Sequence, residues 1–132
     1  MLTLINLKSH LQSVVDRQEK EMAKFQEKLA ENPVHAFYWA DTIMSLTAQA
    51  QVAQHYLNSI QAWQDMASED QLTKDQPQTE DAAIEFIKES VLRMAIQKGA
   101  QVQRSTSPTA NMMEDEERAF YADLARDWNM IF

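Results

Sequence analysis

Leu4, Leu7, Leu11 and Val14 recur three and four residues apart, and the stripe drifts onward through Val15, Met22, Phe25 and Leu29. That spacing keeps apolar side chains on one side of a 3.6-residue turn, so it predicts an amphipathic helix. The opposite face mixes signs. Asp16 with Lys20 and Arg17 with Glu21 attract at i, i+4, whereas Lys20 with Lys24, Lys24 with Lys28 and Glu27 with Glu31 repel. Residues 1–32 carry five acids and five bases, so this helix is neutral overall and predicts contact with solvent or a partner.

Asn32-Pro33 ends the first helix and admits a second, because proline fits a first helical turn and disfavours α geometry in the residue before it. The second helix is predicted to run to Ser68, on the order of 50 Å at ~1.5 Å per residue. Trp39, Ile43, Leu46, Ala50, Ala53, Leu57, Ile60, Gln64 and Ala67 alternate four and three apart, which is an a/d seam within or between chains. Val52, Tyr56 and Trp63 form a second row and predict neighbours on more than one side. Within this helix, Thr42 to Gln64 are 23 consecutive residues with no side chain charged at neutral pH. Gln49, Gln51, Gln54, His55, Asn58, Gln61 and Gln64 rule out a membrane span. The run therefore predicts a surface kept from bulk water, at the centre of a helical assembly.

The pattern dissolves into a polar loop from Asp65 to Gln78. A third helix is predicted from Thr79, an N-cap with Glu80 and Asp81 in the first turn, burying Ile84, Ile87, Val91, Met94 and Ala95. Lys98 and Gly99 predict its end, with Gly99 as a left-handed cap. Ala100 to Thr109 reads as a linker. Asn111 and Glu114 have capping-box spacing for a fourth helix, which would set Glu114, Asp115, Glu116 and Glu117 on its positive dipole end. Phe120, Leu124, Trp128 and Ile131 give that helix its buried stripe.

Composition agrees with this all-α reading: one Gly and three Pro in 132 residues leave little turn material for a many-stranded sheet. The prediction is a single domain of about four helices with one long central helix, bundled or intertwined as a homodimer, in which residues 1–32 form an N-terminal helix that can project from a body of residues 33–132. No cysteine is present, which excludes disulfides and thiol chemistry and fits a reducing cytoplasm. Met1 to Leu11 has no basic residue before Lys8 and no small-residue cleavage site, against a secretory signal.

No catalytic set stands out, and no cofactor or metal is predicted. Glu114 to Glu117 are consecutive on a helix and point in different directions, which reads as a solvated helix start rather than a metal site. A di-iron bundle needs Glu-x-x-His pairs; Glu31 to His35 has the wrong spacing and is interrupted by Pro33. His55 reads as a hydrogen-bonded interior or interface group. Met44, Met66 and Met94 fall near core spacings, while Met112, Met113 and Met130 suggest an interface.

Charge carries more information. Twenty acids against twelve bases give a net charge of −8, which argues against direct binding of nucleic acid and toward a basic partner. Asp65 to Glu85 holds seven acids (Asp65, Glu69, Asp70, Asp75, Glu80, Asp81 and Glu85) against Lys74, and Glu114 to Asp127 holds six against Arg118 and Arg126. Two such regions on a helical scaffold can imitate the phosphate rows of a duplex, with Asp70, Asp75, Glu80, Asp81 and Glu114 to Glu117 as the contacts. Ordinary solvated surface is the other reading.

Ala36-Phe37-Tyr38, His55-Tyr56, Pro77-Gln78, Gln97-Lys98-Gly99-Ala100 and the acidic run with Glu117-Arg118 and Ala122 through Trp128 follow one another in an order that resembles the landmarks of Gam-type host-nuclease inhibitors of lambda-like phages. The resemblance covers about residues 35–132, with gaps in both polar loops, and excludes the first 32 residues. It implies an all-helical dimer that blocks the DNA-binding site of the bacterial RecBCD nuclease-helicase, with a projecting N-terminal helix entering the DNA channel. The resulting expectation is a non-enzymatic, cytoplasmic DNA mimic whose partner is a host DNA-processing enzyme with a basic channel. The competing expectation is a structural or chaperone-like helical protein that holds a partner helix in an apolar groove.

Overall fold

In the computed structural model, which describes residues 3–100 and 108–127, Thr3 starts the first helix: its Oγ1 accepts the Asn6 backbone N–H at 3.1 Å. The four helices are α1 (Leu4–Glu31), α2 (His35–Ser68), α3 (Glu80–Ala100) and α4 (Pro108–Asp127), and no strand occurs among the described residues. The fold is all-α. Trp128, Met130 and Ile131 lie outside the described residues, as do most of the linker and the side chains of His35, Phe37, Tyr38, Gly99 and Met113.

Asn32 closes α1 in the extended conformation that a following proline imposes, and its Oδ1 accepts the Val34 N–H at 3.1 Å to turn the chain into α2. The two helices then run antiparallel, since Lys8 reaches Gln64 while Gln18 reaches Thr47. Leu4, Leu7, Leu11 and Val15 are buried against Val52, Ala53, Tyr56, Leu57 and Ile60. Ile84, Ile87 and Val91 of α3 and Phe120, Tyr121 and Leu124 of α4 complete this core. Met22, Phe25 and Leu29 are only half-buried, because at that end α1 has α2 as its main neighbour.

Ile43, Leu46, Ala50, Ala53, Leu57 and Ile60 are buried within the one chain and Trp39 is half-buried, so the a/d seam serves the internal core. Val52 and Tyr56 are buried as well, which bears out the second row. The uncharged run does not keep its whole circumference from water. Gln51, Gln54, His55, Asn58, Ser59 and Gln61 are exposed, and their neutral groups pair along the helix, as Gln54 Nε2 does with Asn58 Oδ1 at 2.8 Å. Absence of charge here marks a polar face without ions rather than a buried one.

Three predicted details change. The ion pairs along α1 are Lys24–Glu21 at 3.5 Å and Lys28–Glu31 at 3.6 Å, three residues apart, in place of Asp16–Lys20 and Arg17–Glu21. Gly99 is helical and no glycine has positive φ; the left-handed residue is instead Asp70, with φ of 55°, which ends α2 while the Gln71 N–H donates back to Met66 O at 2.8 Å. Aspartate tolerates this geometry better than most residues because its side chain is short and polar. Finally, α4 starts at Pro108, where a missing N–H is harmless, so Asn111 is not its cap and Glu114 to Glu117 sit beyond the first turn. Thr79, by contrast, caps α3 as predicted: its Oγ1 accepts the Ala82 N–H at 3.1 Å.

Candidate functional site

Packing leaves α2 and α3 splayed. α2 lies along α1 and meets α4, and α3 lies on α4 and touches α1, but the α2 and α3 backbones make no extensive contact with each other. Side chains span the gap at one level, where the Tyr56 hydroxyl and Ser90 Oγ lie 3.2 Å apart. Beyond that bridge the gap opens as a groove of about 380 Å³. Trp63, Met66 and Ala62 form its α2 wall, Ala83, Phe86 and Ile87 its α3 wall, and Leu4 and Ile60 are among the residues beneath. Apolar positions on both walls follow from each helix offering more apolar circumference than its core contacts cover.

The loop that closes one end of the groove is not loosely solvated. Trp63 Nε1–H donates to the Pro77 carbonyl at 2.9 Å, tying loop to helix. Gln76 Oε1 accepts the Thr73 N–H at 2.9 Å and Gln78 Nε2 donates to the Thr73 carbonyl at 2.7 Å, so two glutamines do the work of a turn in a segment without glycine. Asp75 and Pro77 thereby reach the groove lining. His55 also lines it, exposed and edge-on to Tyr56 with ring centroids 5.1 Å apart, which overturns the interior half of the interior-or-interface expectation. Phe86 remains 58% exposed on the rim, an unusual position for a large aromatic residue.

The predicted acidic contacts divide into two groups. Asp70, Asp75, Glu80 and Asp81 are exposed around the α2–α3 connection, together with Asp65, Glu69 and Glu85. Glu80 Oε1 additionally accepts the Leu4 N–H at 3.2 Å. Glu114, Asp115, Glu116 and Glu117 lie at the other end of α3, about 25 Å away at ~1.5 Å per residue. There Lys98 Nζ meets Glu117 at 3.0 Å and Glu114 at 3.6 Å, and Arg118 Nη1 meets Asp115 at 2.8 Å. Arg118 Nε also donates to the Lys98 carbonyl at 2.8 Å, satisfying an acceptor in the last turn of α3. Burial acts to lower the Lys98 ammonium, but Glu117, with Glu114 behind it, outweighs that and holds it above the ordinary lysine value. The α4 acids are thus largely compensated within the chain, whereas at the α2–α3 connection only Glu85 has an ion-pair partner among the described residues, Lys88 at 3.6 Å.

Among the described residues, no group of three or more His, Asp or Glu side chains is placed to hold a metal ion, and no helix is long and apolar enough to cross a membrane. Fold and site together define a four-helix protein with an acid-fringed apolar groove. No family model, curated protein or solved structure matches the chain. The sequence raises an apolar groove for a partner helix but does not place it between α2 and α3. Trp63 and Met66 continue the spacing of the core stripe, and only the divergence of α3 separates wall from core.

Proposed function

We propose that this protein is a non-enzymatic binding protein that seats an amphipathic helix of a partner protein in the α2–α3 groove, with Lys or Arg residues of that helix meeting the acidic fringe. One observation carries the reading: an apolar trough walled by Trp63, Met66 and Phe86 has Asp75 in its lining and Glu80 bonded to the N–H of its residue Leu4, with the exposed acids Glu69, Asp70 and Asp81 on the adjoining α2–α3 connection. Apolar walls bury the inner face of a helix, and the fringe selects for positive charge on its flanks. The Trp63 bond to Pro77 holds the wall in position before binding, which lowers the entropy lost on association.

A fluorescently labelled model helix, with leucines along one face and lysines on its flanks, tests this by anisotropy. It is expected to bind, to lose about tenfold or more in affinity to Trp63→Ala, and to bind far better than the same peptide with glutamates replacing the lysines. Equal binding of both peptides, or none of either, refutes the reading. A second reading, inhibition of a DNA-processing enzyme by duplex mimicry, draws support from the seven acids against one base between Asp65 and Glu85. It requires that added protein slow DNA degradation by a host nuclease in a salt-sensitive manner; unchanged degradation excludes it.

A further inference from the structure

The outer face of α3, away from the core, carries Phe86, Glu89, Arg93 and Ile96 at successive spacings of three, four and three residues, which places them in one stripe along the helix. Phe86 and Ile96 are each 58% exposed. Glu89 and Arg93 are exposed too, and neither makes an ion pair with any described residue. Such a stripe, with apolar ends and an unpaired charge of each sign between them, has no use in the core it faces away from.

Its order is symmetric. Glu89 and Arg93 lie two residues to either side of Val91, and Phe86 and Ile96 lie five residues to either side. We propose that this face is a self-association surface on which a second copy lays its own α3 antiparallel, about a two-fold axis level with Val91. Glu89 of each copy then faces Arg93 of the other, and Phe86 of each faces Ile96 of the other. A shallow depression lined by Glu89, Leu92, Arg93, Ile96 and Gln97 stands opposite the incoming Phe86 and receives its ring. A parallel arrangement would set Glu89 against Glu89 and Arg93 against Arg93, so the charges select the antiparallel one. An isologous contact of this kind closes on itself and forms a dimer rather than a filament.

The a/d seam of α2 is unavailable for this role because the chain's own helices bury it. One helical stripe per copy covers less than the roughly 1,200 Å² of a standard interface, so the dimer is weak and concentration-dependent. Phe86 also walls the groove, so the stripe shares that residue with the groove reading; Trp63→Ala, which bears on the groove alone, leaves Glu89, Arg93 and Ile96 untouched.

Sedimentation equilibrium of the full chain from micromolar to millimolar concentration reads the outcome. The mass is expected to rise from 15.2 kDa toward twice that value. Glu89→Arg and Arg93→Glu are each expected to raise the dimer Kd by about tenfold or more, because each places two like charges together twice across the axis. The double variant carrying both changes restores the pairing and with it the dimer. Both positions are exposed, and circular dichroism verifies that the helices persist. A monomer at every concentration, a dimer indifferent to the single reversals, or a double variant no tighter than the singles overturns the proposal.

Discussion

Replacing Lys98 by methionine keeps most of its aliphatic stem and removes its charge, so it isolates the ion pair that joins the end of α3 to α4. The Lys98 and Glu117 side chains are only 20% and 23% exposed, and they meet at 3.0 Å. A fully exposed pair contributes roughly 0.2–1 kcal/mol and a hydrogen bond to a charged group about 1.5–3 kcal/mol. Their partial burial puts the coupling between these ranges, at about 1–1.5 kcal/mol. Glu114, at 55% exposure and 3.6 Å, adds little after screening. A double-mutant cycle of Lys98→Met and Glu117→Gln, followed by urea denaturation, measures that coupling directly. Lys98→Met alone is expected to lower the melting temperature by roughly 5 °C. A coupling below about 0.5 kcal/mol would mean that the contact is no stronger than a surface pair. The α4 acids would then be free to face a partner, contrary to the compensation argued above.

Two further outcomes bear on the core and on alkaline stability. Leu11→Ala, at a position with no exposure, is expected to lose roughly 2–5 kcal/mol by the same denaturation, whereas Ile5→Ala, 72% exposed near the start of the same helix, should stay within about 0.5 kcal/mol of the parent; similar losses at both sites would place the core elsewhere. Burial, reinforced by Tyr56 and by the negative charge of Glu117, raises the Tyr121 phenol well above its ordinary value of 10.0, and Lys98 is raised above 10.5. Both groups hold their protons more tightly when folded, so their contribution is fully present below those values and is lost as the pH climbs through the raised ones. Urea midpoints should therefore fall with rising pH above about 10, and less steeply in Tyr121→Phe; a parent whose alkaline slope equals that of the variant would rule out Tyr121 as a source.

Helical periodicity specifies which side of each helix is apolar, and here it located α1, α2 and the start of α3 well. Leu4, Leu7 and Leu11 are buried as their spacing requires, and Thr79 caps the helix whose first turn it precedes. Ends were less legible where two signals compete. Gly99 and Asn111 each carry a cap preference of the usual sign, but the chain continues helical through the first and has already started a helix at Pro108 before the second. The true left-handed residue, Asp70, belongs to a type that favours such positions only after glycine and asparagine. Charge absence misled for a related reason: a run of glutamines satisfies itself with i, i+4 pairs and needs no burial to do without ions.

The candidate site was legible only in part, and the reason is geometric. The sequence puts Leu57, Ile60 and Ala67 in one stripe and Tyr56 and Trp63 in a second row beside it, but whether such a row becomes core or groove depends on how closely the next helix approaches. Here α3 leans toward α4, Tyr56 and Ser90 bridge the gap, and beyond them Trp63 is left half-buried with Phe86 across from it. The acids behave in the same way. Counting them gave two clusters of similar density, yet Lys98 and Arg118, from two different helices, compensate one and leave the other open. A cationic partner would therefore be drawn to the α2–α3 connection, where largely uncompensated carboxylates and exposed apolar surface coincide, and not to the run of carboxylates on α4.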